Sequence, residues 1–114
     1  MKNILFLVLL AMAFTLACKK DREKDLPTCI KTQLDAFKLG AQSCDAGSAS
    51  LKTYQFQNQT VYVFDEGPCI ADNAKRVLDK DCNQLCVLGG IGGITDCNGA
   101  DFMATATGEF QVWP

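Results

Sequence analysis

The sequence predicts an α+β fold: one N-terminal amphipathic helix packed on a small, mainly antiparallel sheet and stapled by disulfides. Three observations carry that prediction. Ile30, Leu34 and Phe37 recur at helical spacing. Residues 51–65 alternate apolar and polar side chains with the period of a strand. Seven cysteines in 114 residues point to an oxidising compartment, where covalent bridges supplement a modest core. A chain this short holds one small domain, which excludes an enzyme with separate cofactor and substrate domains.

In chain order, Met1-Lys2-Asn3 is a short positive start, and residues 4–17 form an apolar run of 14 ending in small side chains. Residues 1–17 are therefore expected to be an export signal that is removed. The run is shorter than the roughly 18 to 20 apolar residues that span a bilayer. Thr15-Leu16-Ala17-Cys18 resembles the lipobox of bacterial lipoproteins, although the Leu usually found three residues before the cysteine stands two before it. The resemblance implies that Cys18 is lipidated by a diacylglycerol and an amide-linked acyl chain such as palmitate, and becomes the first residue of the mature chain. The membrane would then be a partner through that lipid. Lys19 does not resemble the Asp that retains enteric lipoproteins in the inner membrane, so the resemblance implies an outer-membrane site in the cell envelope. Residues 18–25 follow as anchor and tether. Lys19 to Asp25 are seven consecutive charges with no apolar group to bury, expected to be solvated and to span at most about 25 Å.

Residues 26–114 are expected to form the single cysteine-rich domain. Pro27 suits a first helical turn, Asp25 is a candidate cap, and Gly40 a stop, which places the helix over Thr28–Leu39. Ala41–Ser50, rich in Gly, Ser and Ala, reads as a loop. Leu51–Gln57 puts Tyr54 and Phe56 on one face. Thr60–Asp65 opposes Val61 and Val63 to Tyr62 and Phe64, and the two strands form a hairpin turning near Asn58-Gln59. Arg76–Leu78 and Gln84–Leu88 form a second pair across a polar turn. Asp101–Ala106 is a short helical turn, and Glu109–Trp113 a final strand. At least half of Tyr54, Phe56, Tyr62, Phe64, Phe102, Phe110 and Trp113 are expected in the core.

With Cys18 assigned to lipid, Cys29, Cys44, Cys69, Cys82, Cys86 and Cys97 form an even set of disulfide cysteines with fifteen possible pairings. Cys29–Cys44 must retrace the helix with barely enough chain. Cys82–Cys86 closes an uncomfortably small ring. Without these two pairs, every remaining pairing ties the helical segment by two bridges to the Cys69–Cys97 region. The alternative, zinc at Cys82-x-x-x-Cys86, has no histidine to complete it and leaves thiols over.

Histidine is absent, which removes the commonest general base and metal ligand. No nucleophile–base motif occurs, so no catalytic residue, enzyme activity or cofactor is expected. Residues 26–114 carry six basic and ten acidic side chains, an unfavourable balance for nucleic acid. Asp79, Asp81 and Asn83 alternate like the opening of a calcium loop, with Asp96 farther along. Gln84 and Gly90 stand where such a loop needs Gly and Glu, so an Asp-rich turn is the preferred reading over a metal site. Gly89-Gly90-Ile91-Gly92-Gly93 lacks the Lys-Ser/Thr ending of a phosphate loop and reads as a connector.

Five blocks in order, residues 27–30, 60–64, 79–86, 89–93 and 101–102, resemble an uncharacterised family of small cysteine-containing bacterial lipoproteins, known only as a domain of unknown function. The likeness spans most of residues 27–113 and implies a single lipoprotein domain without supplying an activity. The expected function is that of a non-enzymatic envelope lipoprotein that binds a protein or glycan partner or has a structural role. The alternatives are a disulfide-rich inhibitor of an exogenous hydrolase presenting Gly89–Gly93, or a calcium-dependent adhesion module.

Overall fold

Along one strand Val61 and Val63 face one way and Tyr62 and Phe64 the other, and all four are buried, so this sheet needs a cover on both sides. The computed structural model describes residues 22–41, 49–67 and 74–114. Its elements are α1 (Thr28–Ala41), β1 (Ser50–Phe56), β2 (Gln59–Asp65), β3 (Lys75–Leu78), β4 (Gln84–Leu88), β5 (Asp96–Cys97), β6 (Ala100–Asp101), α2 (Phe102–Thr105) and β7 (Thr107–Trp113). Five strands form an antiparallel sheet in the order β4-β3-β2-β1-β7, and β5 and β6 form a separate hairpin.

One face of the sheet packs against α1. Leu26, Ile30, Leu34 and Phe37 meet Leu51, Tyr62, Phe64, Leu78 and Val112, and the Phe37 ring stands edge-on to Phe64 at 5.2 Å and to Trp113 at 5.8 Å. The other face buries Phe56, Val61, Val63, Val77 and Leu88 beneath Cys97 and Phe102 of the β5–β6–α2 segment. The expected α+β class, strand faces and antiparallel pairing are all present. The helix is not at the N-terminus of the chain but occupies Thr28–Ala41, ahead of every described strand.

The structure corrects four expectations. First, α1 runs through Gly40. The cost of a glycine in a last turn, about 1 kcal/mol, is small once the preceding turns are set by packing. Asp25 makes no capping bond; the first helical hydrogen bond is from Lys31 N–H to the Pro27 carbonyl, 2.9 Å.

Second, the β1–β2 turn is Gln57-Asn58, with φ of 49° and 62°, a two-residue turn of the kind favoured in hairpins. Turning at Asn58-Gln59 would slide the register by two residues and leave every side chain on the same face. The observed register pairs Tyr54 with Val61 and Gln55 with Thr60, and the latter two share a 2.8 Å side-chain bond.

Third, β7 begins at Thr107, two residues early, and β5–β6 was not anticipated. Its turn is Asn98-Gly99, both with positive φ, a strong hairpin signal. The two turns clasp: Asn98 Nδ2 donates to Gln57 Oε1 at 2.7 Å and Gln57 Nε2 to the Asn98 carbonyl at 3.1 Å. The short helical turn is present as expected, as α2, with Asp101 at its N-cap accepting from Ala104 N–H.

Fourth, residues 22–25 of the charged run do not form a free tether. Arg22 lies 4.3 Å over the Phe110 ring and donates to the Gln111 carbonyl at 3.2 Å. Glu23 pairs with Lys38 at 2.8 Å, and Leu26 is in the core. A guanidinium needs no apolar neighbour in sequence to dock, because its flat face stacks on an aromatic ring.

Candidate functional site

Where the docked turn 22–26 meets β1, β2 and β7, it leaves an open cleft of about 420 Å3 on the helix-side face, lined by Arg22, Asp25, Leu26, Thr53, Tyr62, Phe110 and Val112. Cross-strand register brings the residues together. Thr53 is opposite Tyr62 on one side and Phe110 on the other, so three side chains far apart in sequence project from adjacent strands on one face. Tyr62 is 7% exposed and its hydroxyl has no hydrogen-bond partner among the described residues, so it opens onto the cleft. Burial pushes its pKa above the usual phenol value, and the group stays a neutral donor. Arg22 spends one N–H on Gln111 and has no carboxylate partner among the described residues. Asp25 joins none of the described ion pairs. The cleft thus offers a cation, an anion, two hydroxyls and an apolar wall within one concavity.

A second polar cluster crosses β1 and β7 on the hairpin-side face. Lys52 Nζ bonds Glu109 Oε1 at 2.7 Å, and Tyr54 OH donates to the same oxygen at 3.2 Å. The bond to Glu109 holds Lys52 above its usual pKa. The bond from Lys52 holds Glu109 below its usual range. Burial, then the Glu109 charge, raises Tyr54. Each group is pushed further into the state it already has at pH 7, the opposite of the tuning a general base or nucleophile needs.

The disulfide cysteines divide between the two covers. Cys29 of α1 is bonded to Cys82 in the β3–β4 turn, and Cys86 of β4 to Cys97 of β5. The two disfavoured pairs do not form, and the zinc alternative falls because both of its thiols are oxidised into different bridges. Cys18, Cys44 and Cys69 lie outside the described residues.

The calcium candidates do not converge. Asp79 Oδ1 accepts from Asp81 N–H at 2.9 Å and Asn83 N–H at 2.8 Å, and Oδ2 from Asn83 Nδ2 at 3.0 Å. Desolvation alone would raise the Asp79 pKa, but these bonds outweigh it and the carboxyl titrates below its usual value. Asp81 is exposed, and Asp96 pairs with Asp101 in the β5–β6 hairpin. Among the described residues no group of three or more His, Cys, Asp or Glu could hold a metal ion. The glycine segment is a tight turn closed by reciprocal Gly89 and Ile94 backbone bonds of 2.8 and 3.0 Å, with Ile91 92% exposed at its tip. Sequence reasoning missed the cleft. Arg22 and Asp25 sit in a charged run, and nothing local marks them as partners of strands that begin 25 or more residues away.

Of Tyr54, Phe56, Tyr62, Phe64, Phe102, Phe110 and Trp113, the four Phe56, Tyr62, Phe64 and Phe102 are buried. No described helix is long and apolar enough to cross a membrane. A family model described as a domain of unknown function, DUF6970, matches residues 37–114. No curated protein and no solved structure matches the chain. The match begins within α1, so the sheet and both hairpins lie inside it, while Cys29 and the Arg22–Leu26 side of the cleft precede it.

Proposed function

The chain belongs to the DUF6970 family, and on that premise we propose that it is a non-enzymatic envelope lipoprotein, anchored in the bacterial outer membrane through Cys18 and binding a partner with its disulfide-stapled domain. The observation that carries this reading is the pair of bridges, one in each cover of the sheet. Such bridges persist in an oxidising compartment, and the apolar leader with its lipobox-like Thr15–Cys18 supplies the route there. Arg22, the first described residue, already docks on the domain, so the chain from Cys18 spans four residues, at most about 14 Å. The domain would then sit directly on the membrane surface. Peptide mass spectrometry of protein isolated from the membranes of producing cells is expected to find a chain that begins at acylated Cys18. An unmodified Cys18, or a mature start elsewhere, would overturn the reading.

One observation favours a second reading, an inhibitor. The Gly89–Ile94 turn presents Ile91 and Ile94 to solvent and is bracketed by the Cys86–Cys97 bridge, as a rigid loop that enters an enzyme cleft would be. Titration against secreted proteases and lysozymes separates the two readings: stoichiometric inhibition abolished by Ile91→Asp supports the inhibitor.

A further inference from the structure

The cleft beside Arg22 has a composition that neither a core nor an ordinary surface requires. Among the described residues Arg22 has no carboxylate partner and Asp25 no cation, although both line the same concavity. Tyr62 is 93% buried, and its hydroxyl, without a partner among the described residues, opens onto the cleft beside Thr53 on the neighbouring strand. The ring is buried while the hydroxyl reaches solvent in the cleft, so it is placed to bond a ligand acceptor. Leu26, Phe110 and Val112 supply an apolar wall.

We infer that the cleft binds the zwitterionic headgroup of a phosphatidylethanolamine. The phosphodiester would accept from the free Arg22 N–H groups and from the Tyr62 and Thr53 hydroxyls. The ammonium would donate to Asp25, and the glycerol and first methylenes would lie against Phe110 and Val112. A single cation would suit any anion, but an unpaired cation and an unpaired anion in one cleft select a ligand that carries both charges. A cleft of about 420 Å3 is within the range of small-molecule sites. The lipid surface is chosen as the source because the chain from Cys18 to Arg22 is at most about 14 Å long, which puts the cleft at headgroup level. That last step rests on the proposed acylation of Cys18. Headgroup binding would turn a one-point tether into a fixed orientation, with the helix-side face toward the bilayer and the β5–β6–α2 face away from it.

The test uses the chain from Lys19 onward, which keeps every described element and contact but has no Cys18, so its outcome does not depend on acylation. Co-sedimentation is measured with vesicles of phosphatidylcholine alone and of phosphatidylcholine mixed with phosphatidylethanolamine. Preferential binding to the mixed vesicles is expected. Tyr62→Phe, which removes only the hydroxyl, is expected to weaken it about tenfold. Asp25→Asn is expected to abolish the preference over phosphatidylcholine. Both variants should melt like the parent. Equal binding to the two vesicle types, no binding, or unchanged binding by both variants would overturn the proposal. Complete displacement by millimolar inorganic phosphate would also overturn it, because it would show a simple anion site.

Discussion

The helix side and the hairpin side of the sheet bury similar residues but hold their covers in different ways. On the helix side, 14 residues of α1 bring Ile30, Leu34 and Phe37 down in one stripe, an amphipathic face that suffices to dock a helix. On the hairpin side, two strands of two residues each and a four-residue helix bury only Cys97 and Phe102 fully, with Ala100 and Ala106 partly covered. An isolated two-stranded hairpin is at best marginally stable in water. This cover therefore depends on point attachments: the Cys86–Cys97 bridge, the Phe102 ring 5.1 Å from Tyr54 and 5.0 Å from Phe56, and the Gln57–Asn98 clasp. One cover is held by a periodic apolar stripe with one bridge added, the other by three pins.

Removing a pin should break the comparison most sharply. Phe102→Ala is expected to cost about 3–5 kcal/mol, and amide exchange should accelerate across residues 96–106 while α1 stays protected. Phe37→Ala, of similar cost, should instead release α1 and leave the hairpin cover protected. Equal loss of protection on both sides would mean that the two cores are one cooperative unit.

The bridges come next. Cys29–Cys82 spans 53 residues and Cys86–Cys97 only 11, so restriction of the unfolded chain gives about 4 kcal/mol for the first and about 3 kcal/mol for the second. Denaturant melts of the paired Cys→Ser variants should show that order in the midpoints. A reversed order would show that the short bridge acts chiefly by holding its cover in the folded state.

Asp79→Ala removes three hydrogen bonds from the turn that carries Cys82, whose own φ is 64°. A loss of about 1–2 kcal/mol is expected, felt on the helix side and insensitive to added calcium. A calcium-dependent rise in melting temperature of the parent would restore the metal reading.

The smallest effect belongs to Lys52–Glu109, with side chains 33% and 55% exposed. Solvent screening limits it to a few tenths of a kcal/mol. Glu109 titrates below its usual 4.5, so its contribution is complete above that pH and is lost as acid titrates the folded carboxylate. Lys52 titrates above its usual 10.5, so its share is complete below that pH and is lost as base titrates the folded ammonium. Melting temperatures of the parent and Lys52→Met should differ slightly between these limits and converge beyond them.

The same contrast explains what could be read from the residues. The stripe of α1 and the alternation of β1 and β2 are periodic, so their faces were legible. The β1–β2 turn was misplaced because a two-residue slide leaves alternation intact, and only contacts such as Gln55–Thr60 and Gln57–Asn98 break the tie. The β5–β6 hairpin is too short to alternate, and Asn98-Gly99 is its one local signal. Chain-length geometry removed Cys29–Cys44 and Cys82–Cys86 correctly, yet selecting Cys82 as the partner of Cys29 needs the path of α1 over the sheet. The cleft was illegible because Arg22 recognises a ring and a carbonyl near the other end of the chain, and local patterning carries no such information.

The central claim is that each cover of the sheet has its own bridge. Peptide mapping of the unreduced protein tests it most directly. The account predicts Cys29 joined to Cys82 and Cys86 to Cys97. Free thiols at these four positions, or any bridge that joins Cys29 or Cys82 to Cys86 or Cys97, would contradict it.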